Sequence, residues 1–335
     1  ARIRVQFPLH FLRVPPPLRD LRENSSAHSD ASREYLRTMP MTIPEPRESG
    51  YTTTTSVPLY WCRYGREGAT PMMVLHGGPG AHHDYLLPQL LSLATLGAGF
   101  DLVFYDQRGG GKSKTDDPAP VTVDVHVADF AAVSTELGVH GAALTGYSWG
   151  ALLAMHVAIA ARAGNAALTM PPWMMLISPA PYLPSDRAAF DAELTRRQLS
   201  PEVAGLRAEL QASGLRERDP DAYRQRAFEL SVAGYFAHPE RSANLTPFRV
   251  TGRVQQSTWA SVNGEAVLAA LPTVQVPTLV VHGDRDPIPL ASARTTATAL
   301  GAPLVELADC GHVPYVEQPD ALHRALADFV ATRPV

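Results

Sequence analysis

The sequence predicts an α/β fold: a mostly parallel sheet with helices on both faces and a helical insert over one edge. Three observations point there. From Gly50 onward, short apolar runs alternate with helical stretches. The alternation lapses once, between Pro181 and Pro277, where the segments are helical and charged and no buried strand is legible. With 45% hydrophobic and 19% charged residues in a chain of 335, there is enough apolar material for a large core.

The elements follow in order. Residues 1–48 combine Arg, Pro and Ser with little periodicity and end in Pro40, Pro44 and Pro46. They read as a poorly ordered leader, as an N-terminal arm, or as sequence upstream of a start at Met39 or Met41. Residues 51–64 suit a β-hairpin broken around Ser56-Val57-Pro58. Buried strands are expected over 72–75, 102–105, 142–146, 174–177, 278–281 and 304–307. Helices are expected over 122–137, 149–163, 289–300 and 319–332. The insert carries helical segments around 185–198, 201–213, 219–236 and 255–270. The predicted division is a core of 49–182 and 272–335 with a cap of 183–271. A cap so placed sits over the strand ends where open α/β sheets bind their ligands.

Composition narrows the function. The formal net charge is −4, so no basic excess invites nucleic acid or an acidic membrane surface. Two cysteines, Cys62 and Cys310, are too few for a disulfide framework or a structural zinc site. They read as small, partly buried thiols of a reducing compartment. No apolar run approaches the roughly 18–20 residues that cross a bilayer. Pro15, Pro16 and Pro17 interrupt the apolar core that a secretory signal needs. The expectation is a cytoplasmic protein; nothing in the sequence sets its oligomeric state.

The strongest chemical signal is Gly146-Tyr147-Ser148-Trp149-Gly150, between a predicted strand and the small-residue helix that opens with Ala151. This is the G-x-S-x-G nucleophile elbow of the α/β-hydrolase fold. A serine hydroxyl is a weak nucleophile, and a sharp strand-to-helix turn presents it to a base and a substrate together. The helix that follows aims its first N–H groups at developing negative charge. After the strand 72–75 comes His76-Gly77-Gly78-Pro79-Gly80, a turn placed to complete an oxyanion hole. The expected donors are the N–H groups of Trp149 and Gly78, with Gly77 the second choice, because Pro79 has no N–H.

Two further turns supply a base and its partner. Val281-His282-Gly283-Asp284-Arg285-Asp286-Pro287 follows the strand 278–281. Asp286 is preferred over Asp284 because it lies farther beyond the strand end; Asp284 then caps the turn. Cys310-Gly311-His312-Val313-Pro314 lies between the last strand and the last helix. Ser148, Asp286 and His312 thus occur in the chain order of this fold, with His312 as general base. His76, His82 and His83 cluster near the glycine turn, but their spacing matches neither a zincin helix nor a zinc finger, so no metal is expected. Gly109-Gly110-Gly111-Lys112-Ser113 mimics a phosphate-binding loop, yet position 106 is Asp rather than Gly. The G-x-G at Gly78-Pro79-Gly80 fails as a dinucleotide fingerprint because position 83 is His.

Together these residues resemble the proline iminopeptidase family of serine hydrolases. The resemblance rests on His76–Gly80, on Asp106-Gln107-Arg108-Gly109-Gly110-Gly111-Lys112-Ser113 and on Gly146–Gly150, and covers roughly 50–180 and 275–335. It implies release of an N-terminal residue, preferably proline, from a peptide, without metal or cofactor. It also implies that residues 106–113 form a structural loop beside the site. The insert departs from the family pattern. Where members have a Trp-Glu element, this chain has Trp259 followed by Ala260, and its acids Glu202, Glu209, Glu217 and Glu229 stand in no recognisable motif. The elbow reads Gly-Tyr-Ser where members typically have Gly-Gly-Ser.

Two enzymatic readings remain open: an aminopeptidase acting on short peptides, and an esterase, lactonase or amidase acting on small acyl substrates. A non-catalytic binding protein of the same fold is the reading from another class. For an acyl pocket the apolar candidates are Trp149, Tyr235, Phe236 and Trp259.

Overall fold

The computed structural model describes residues 42–333. Eight strands form one sheet in the order β1-β2-β4-β3-β5-β6-β7-β8. They are β1 (Glu48–Tyr51), β2 (Tyr60–Gly65), β3 (Thr70–Leu75), β4 (Phe100–Tyr105), β5 (Ala143–Tyr147), β6 (Met174–Ile177), β7 (Thr278–Gly283) and β8 (Leu304–Leu307). β1 and β2 pair antiparallel, as do β2 and β4; the remaining pairs are parallel. The expected hairpin is therefore β1–β2, with Tyr51 opposite Tyr60. This is the α/β-hydrolase architecture.

The apolar runs account for the sheet. Successive side chains leave a strand on opposite faces. Met72, Val74, Leu102, Phe104, Met175, Ile177, Leu279 and Val281 enter one buried cluster, together with Leu322, Leu326 and Phe329 of the last helix. Met73, Leu75, Val103, Tyr105, Leu144, Met174, Leu176 and Val280 enter the other. Burial on both faces makes these strands read as continuous apolar runs rather than alternating ones.

The helices follow the expected periodicity. α1 (Val123–Glu136) is capped by Thr122, whose side chain accepts from the Val125 N–H. α2 (Trp149–Arg162) starts directly after Ser148. The insert carries α3 (Pro184–Gln198), α4 (Pro201–Ala212), α5 (Leu215–Arg218), α6 (Pro220–Val232), α7 (Gly252–Ser261) and α8 (Gly264–Val274). α9 (Leu290–Leu300), α10 (Pro314–Glu317) and α11 (Pro319–Ala331) complete the chain.

Three expectations need correction. The leader was drawn to residue 48; most of it lies outside the described residues, but its last part is tied to the core. The Arg47 N–H donates to Arg63 O at 2.9 Å, its guanidinium pairs with Asp101 at 2.9 Å, and Tyr64 donates to Pro44 O at 3.2 Å. The single helix expected over 255–270 is two, because Val262 turns extended and the Asn263 side chain caps a new start at the Ala266 N–H. The second of these, α8, packs on α2 and α9, and its Val267, Leu271 and Val274 join the core cluster. By packing it is a core helix, so the outer helices of the insert end at Ser261 rather than at 271.

This assignment is testable. Leu271→Ala should cost about 2–5 kcal/mol, as for other fully buried leucines. Leu199→Ala, at a position 72% exposed, should cost less than about 0.5 kcal/mol. Urea unfolding of the two variants measures the contrast; equal, small losses would place α8 outside the core.

Candidate active site

β3 and β5 run side by side and parallel, with Leu75 opposite Gly146. Their C-terminal ends therefore deliver the His76–Gly80 turn and the elbow to the same spot. At the elbow Ser148 has φ 53° and ψ −118°, a conformation that costs a non-glycine residue about 1–3 kcal/mol. Surrounding bonds hold it there: the Ser148 N–H donates to Ile177 O at 2.9 Å, and Ser148 O accepts from Ala180 N at 3.1 Å. The approach tolerates no side chain at two glycines. A Cβ on Gly77 would lie 2.9 Å from the Ser148 Cβ, and one on Gly150 would lie 2.0 Å from Leu75 O.

The three residues picked from separate turns meet in one hydrogen-bonded chain. Ser148 Oγ lies 3.0 Å from His312 Nε2, and His312 Nδ1 lies 2.8 Å from Asp286 Oδ2. Asp286 Oδ1 accepts from the Ile288 N–H at 2.8 Å. Burial works against the charge on Asp286, but His312 and the fully buried His282 hold its carboxyl below the usual range. Asp284 lies elsewhere: its carboxylate accepts from the Cys310 N–H at 3.2 Å.

The glycine turn sorts its two candidate donors. The Gly77 N–H is engaged by the Tyr85 hydroxyl at 2.6 Å. The N–H groups of Gly78 and Trp149 have no hydrogen-bond partner among the described residues. Gln107 joins the two sides of this arrangement. Its Nε2 donates to His76 O at 2.8 Å, and its Oε1 accepts from the Trp149 indole at 2.8 Å. The Trp149 ring is accordingly fully buried and offers the pocket no surface.

The insert covers the site from two sides. The Tyr235 ring lies 5.4 Å from that of His312, and Tyr147 packs on the imidazole at 5.2 Å. Phe248 stacks at 4.4 Å on Tyr85, while Thr251 N donates to Gly80 O at 2.9 Å. Trp259 meets Trp149 at 5.5 Å. Phe236, a third candidate, belongs to the buried apolar cluster and touches only a cavity that contains neither Ser148 nor His312. Of the insert's acids, Glu202, Glu209 and Glu217 are exposed, and Glu229 is buried but paired with Arg226 at 2.7 Å. A cavity of about 440 Å³ beside Arg197, Phe236 and Arg285 includes none of Ser148, His312 and Asp286.

Sequence reasoning missed Glu317. Its Oε1 accepts from Ala237 N at 2.7 Å and its Oε2 from Gly311 N at 2.8 Å. The His312 N–H donates to Tyr235 O at 2.7 Å. One carboxylate thus ties the histidine loop to the 235–237 segment of the insert. It lies five residues after His312, and an exposed Glu would look the same in sequence.

Among the described residues no group of three or more His, Cys, Asp or Glu side chains is arranged to hold a metal ion. His76 is fully buried, which pushes its imidazole down to about 4. His83 bridges Asp106 at 2.7 Å and Cys62 at 3.2 Å. Cys310 is a buried free thiol, raised by that burial.

A sequence profile of the alpha/beta hydrolase family matches residues 72–325, and the chain belongs to that family. Its relatives include proline iminopeptidases. Over 293 residues it is 25% identical to the proline iminopeptidase of Lactobacillus delbrueckii subsp. lactis, covering 82% of this chain and 95% of that one. It is 37% identical over 115 residues to the proline iminopeptidase of Thermoplasma volcanium, a match covering 33% of this chain and 38% of the relative's length. The crystal structure of proline iminopeptidase from Mycobacterium smegmatis superposes with a TM-score of 0.57 at 22% identity, over 85% of this chain and 98% of that one. The enol-lactonase from Burkholderia xenovorans does so with the same TM-score at 21% identity, over 84% and 100%. These two likenesses are of fold. No helix among the described residues is long and apolar enough to cross a membrane.

Glu317 makes stability depend on pH. Burial pushes its carboxyl up to about 7, against the pull of the Ala237 and Gly311 hydrogen bonds. The folded state therefore holds this proton more tightly than the unfolded chain. The stabilisation is complete below the ordinary carboxylate range and is lost as pH rises to about 7. Melting curves from pH 5 to 8 should show a steeper decline in the native protein than in Glu317→Gln, which cannot titrate. Parallel curves would contradict this.

Proposed function

We propose that the chain is a serine hydrolase working through an acyl-enzyme on Ser148, and that it releases the N-terminal residue of short peptides. The observation that carries the reading is the unbroken hydrogen-bonded chain from Ser148 through His312 to Asp286. His312 Nε2 takes the hydroxyl proton as Ser148 Oγ attacks the substrate carbonyl carbon. The carbonyl oxygen becomes an oxyanion, and the N–H groups of Gly78 and Trp149 are the donors placed to receive it. His312 then gives its proton to the leaving amine as the carbon–nitrogen bond breaks. A water, deprotonated by the same imidazole, attacks the ester, and the proton returns to Ser148. Asp286 keeps Nδ1 protonated throughout and stabilises the imidazolium. None of these steps requires a metal or a cofactor.

The peptide reading is supported by the motif resemblance and by the proline iminopeptidases among its relatives. A second reading, hydrolysis of small esters or lactones, is favoured by one observation. Glu202, Glu209 and Glu217 of the insert are exposed and Glu229 is paired with Arg226, while the rings of Tyr147 and Tyr235 pack on His312.

A fluorophosphonate probe should label Ser148, and Ser148→Ala should abolish both labelling and hydrolysis with the fold retained. Asp286→Asn should lower kcat by about 10³–10⁴-fold through the wrong tautomer, and Asp284→Asn by far less. The reverse ranking would assign the acid to Asp284. Proline-β-naphthylamide and its N-acetyl derivative separate the two substrate readings. An aminopeptidase should lose turnover on acetylation, since an ammonium enters a dry pocket only with a partner. Faster cleavage of the acetylated compound would establish the ester-type pocket instead.

A further inference from the structure

We propose that Arg187 anchors the C-terminal carboxylate of a dipeptide substrate, on the leaving-group side of Ser148. The proposal rests on the peptidase reading above and narrows its substrate class.

Arg187 lies at the end of the first turn of α3. Its guanidinium carbon stands 4.1 Å from the centre of the Trp259 ring and 5.6 Å from that of Phe190. Each of those rings leads back to the reacting groups. Trp259 packs on Trp149, which follows Ser148 in the chain, at 5.5 Å. Phe190 packs at 6.2 Å on Tyr235, whose ring lies 5.4 Å from His312. The guanidinium therefore joins an aromatic girdle whose two ends touch the neighbours of the nucleophile and the base. Its charge acts there: burial pushes the Tyr235 hydroxyl up to about 12, and Arg187 pulls against that rise.

The guanidinium of Arg187 forms an ion pair with Asp191 through Nε at 3.5 Å and makes no hydrogen bond among the described residues. Its Nε is buried, and 3.5 Å lies beyond the usual range for N–H···O bonds of about 2.7–3.2 Å. Nearby arginines of the insert behave differently. Arg197 donates to Glu193 at 2.7 Å, Arg207 to Gln198 at 2.6 Å and Arg226 to Glu229 at 2.7 Å.

A guanidinium stacked on an indole keeps its planar fork in a fixed direction, and that fork matches a carboxylate through two parallel N–H···O bonds. The same charge repels an ammonium. In an aminopeptidase the ammonium belongs to the acyl part, so Arg187 must serve the other end of the substrate. A dipeptide places its carboxylate only one residue beyond the scissile nitrogen; each added residue would carry it about 3.5 Å farther.

The test compares Pro-Gly with Pro-Gly amide, which differ only in the terminal charge. The native protein should favour Pro-Gly in kcat/KM by about tenfold or more, the scale of a charge-assisted pair. Arg187→Gln should bring that ratio close to one, mainly by raising KM for Pro-Gly, and Arg187→Lys should keep part of it. The thermal midpoint of each variant shows that it is folded. A native ratio near or below one, or a ratio unchanged in Arg187→Gln, overturns the anchor and leaves the peptidase reading standing. Cleavage of neither peptide, with Ser148 still labelled by fluorophosphonate, overturns both.

Discussion

The register of β3 on β5 sets Leu75 opposite Gly146, and the strand ends then bring two backbone turns into contact. One turn carries Ser148 and the other carries Gly78, so a shift of one residue would separate the elbow from the glycine turn. The close approach explains why glycine stands at 77 and 150, where any Cβ would strike backbone or Ser148. It also explains Gln107, which has a hydrogen bond to each side and keeps the two turns at fixed spacing. β6 contributes the carbonyl that holds the elbow in its positive-φ conformation, and β7 ends in the turn that carries Asp286. The sheet thus acts as a ruler for groups drawn from four loops.

Much of this was legible in the sequence because strands buried on both faces leave unmistakable apolar runs, and chemical residues sit directly beyond their ends. Ser148, His312 and Asp286 come together as their spacing suggested, and the choice of Asp286 over Asp284 agrees with which carboxylate reaches the imidazole. The insert was harder. Its helices were visible, but their allegiance was not: α8 looks like any amphipathic helix until its partners α2 and α9 are known. Phe236 and Tyr235 are adjacent aromatics of similar hydropathy, yet one packs in the core and the other lies on His312. Glu317 and Arg187 carry charges that sequence assigns to the surface by default, because burial of a charged group depends on partners far along the chain.

The protein contains the same sequence of chemical groups twice. Cys62, His83 and Asp106 form a chain of thiol, imidazole and carboxylate much like that of Ser148, His312 and Asp286. Environment separates them. Cys62 lies on β2 with no exposure, and His83 is nearly as enclosed, so no carbonyl can approach the sulfur. Hydrogen bonds from His83 and the Lys112 N–H hold the Asp106 carboxyl down at about 2 despite its burial, and Asp106 in turn holds His83 well above its ordinary value. The enclosed chain is a structural cluster, in which Asp84 also stands 3.0 Å from His83 Nε2. The half-buried Ser148 presents its hydroxyl to the space under the insert.

The 235–237 segment reaches the histidine loop through main-chain atoms: Tyr235 O, Ala237 N and the Glu317 carboxylate that receives the latter. Such contacts are indifferent to the side chain that rides on the same residue. Replacing the ring at 235 leaves the peptide groups that align His312 in place. A substitution at this position therefore changes the surface beside His312 without unfastening the loop that carries it. The insert is in that sense a replaceable surface mounted on a bracket of backbone geometry.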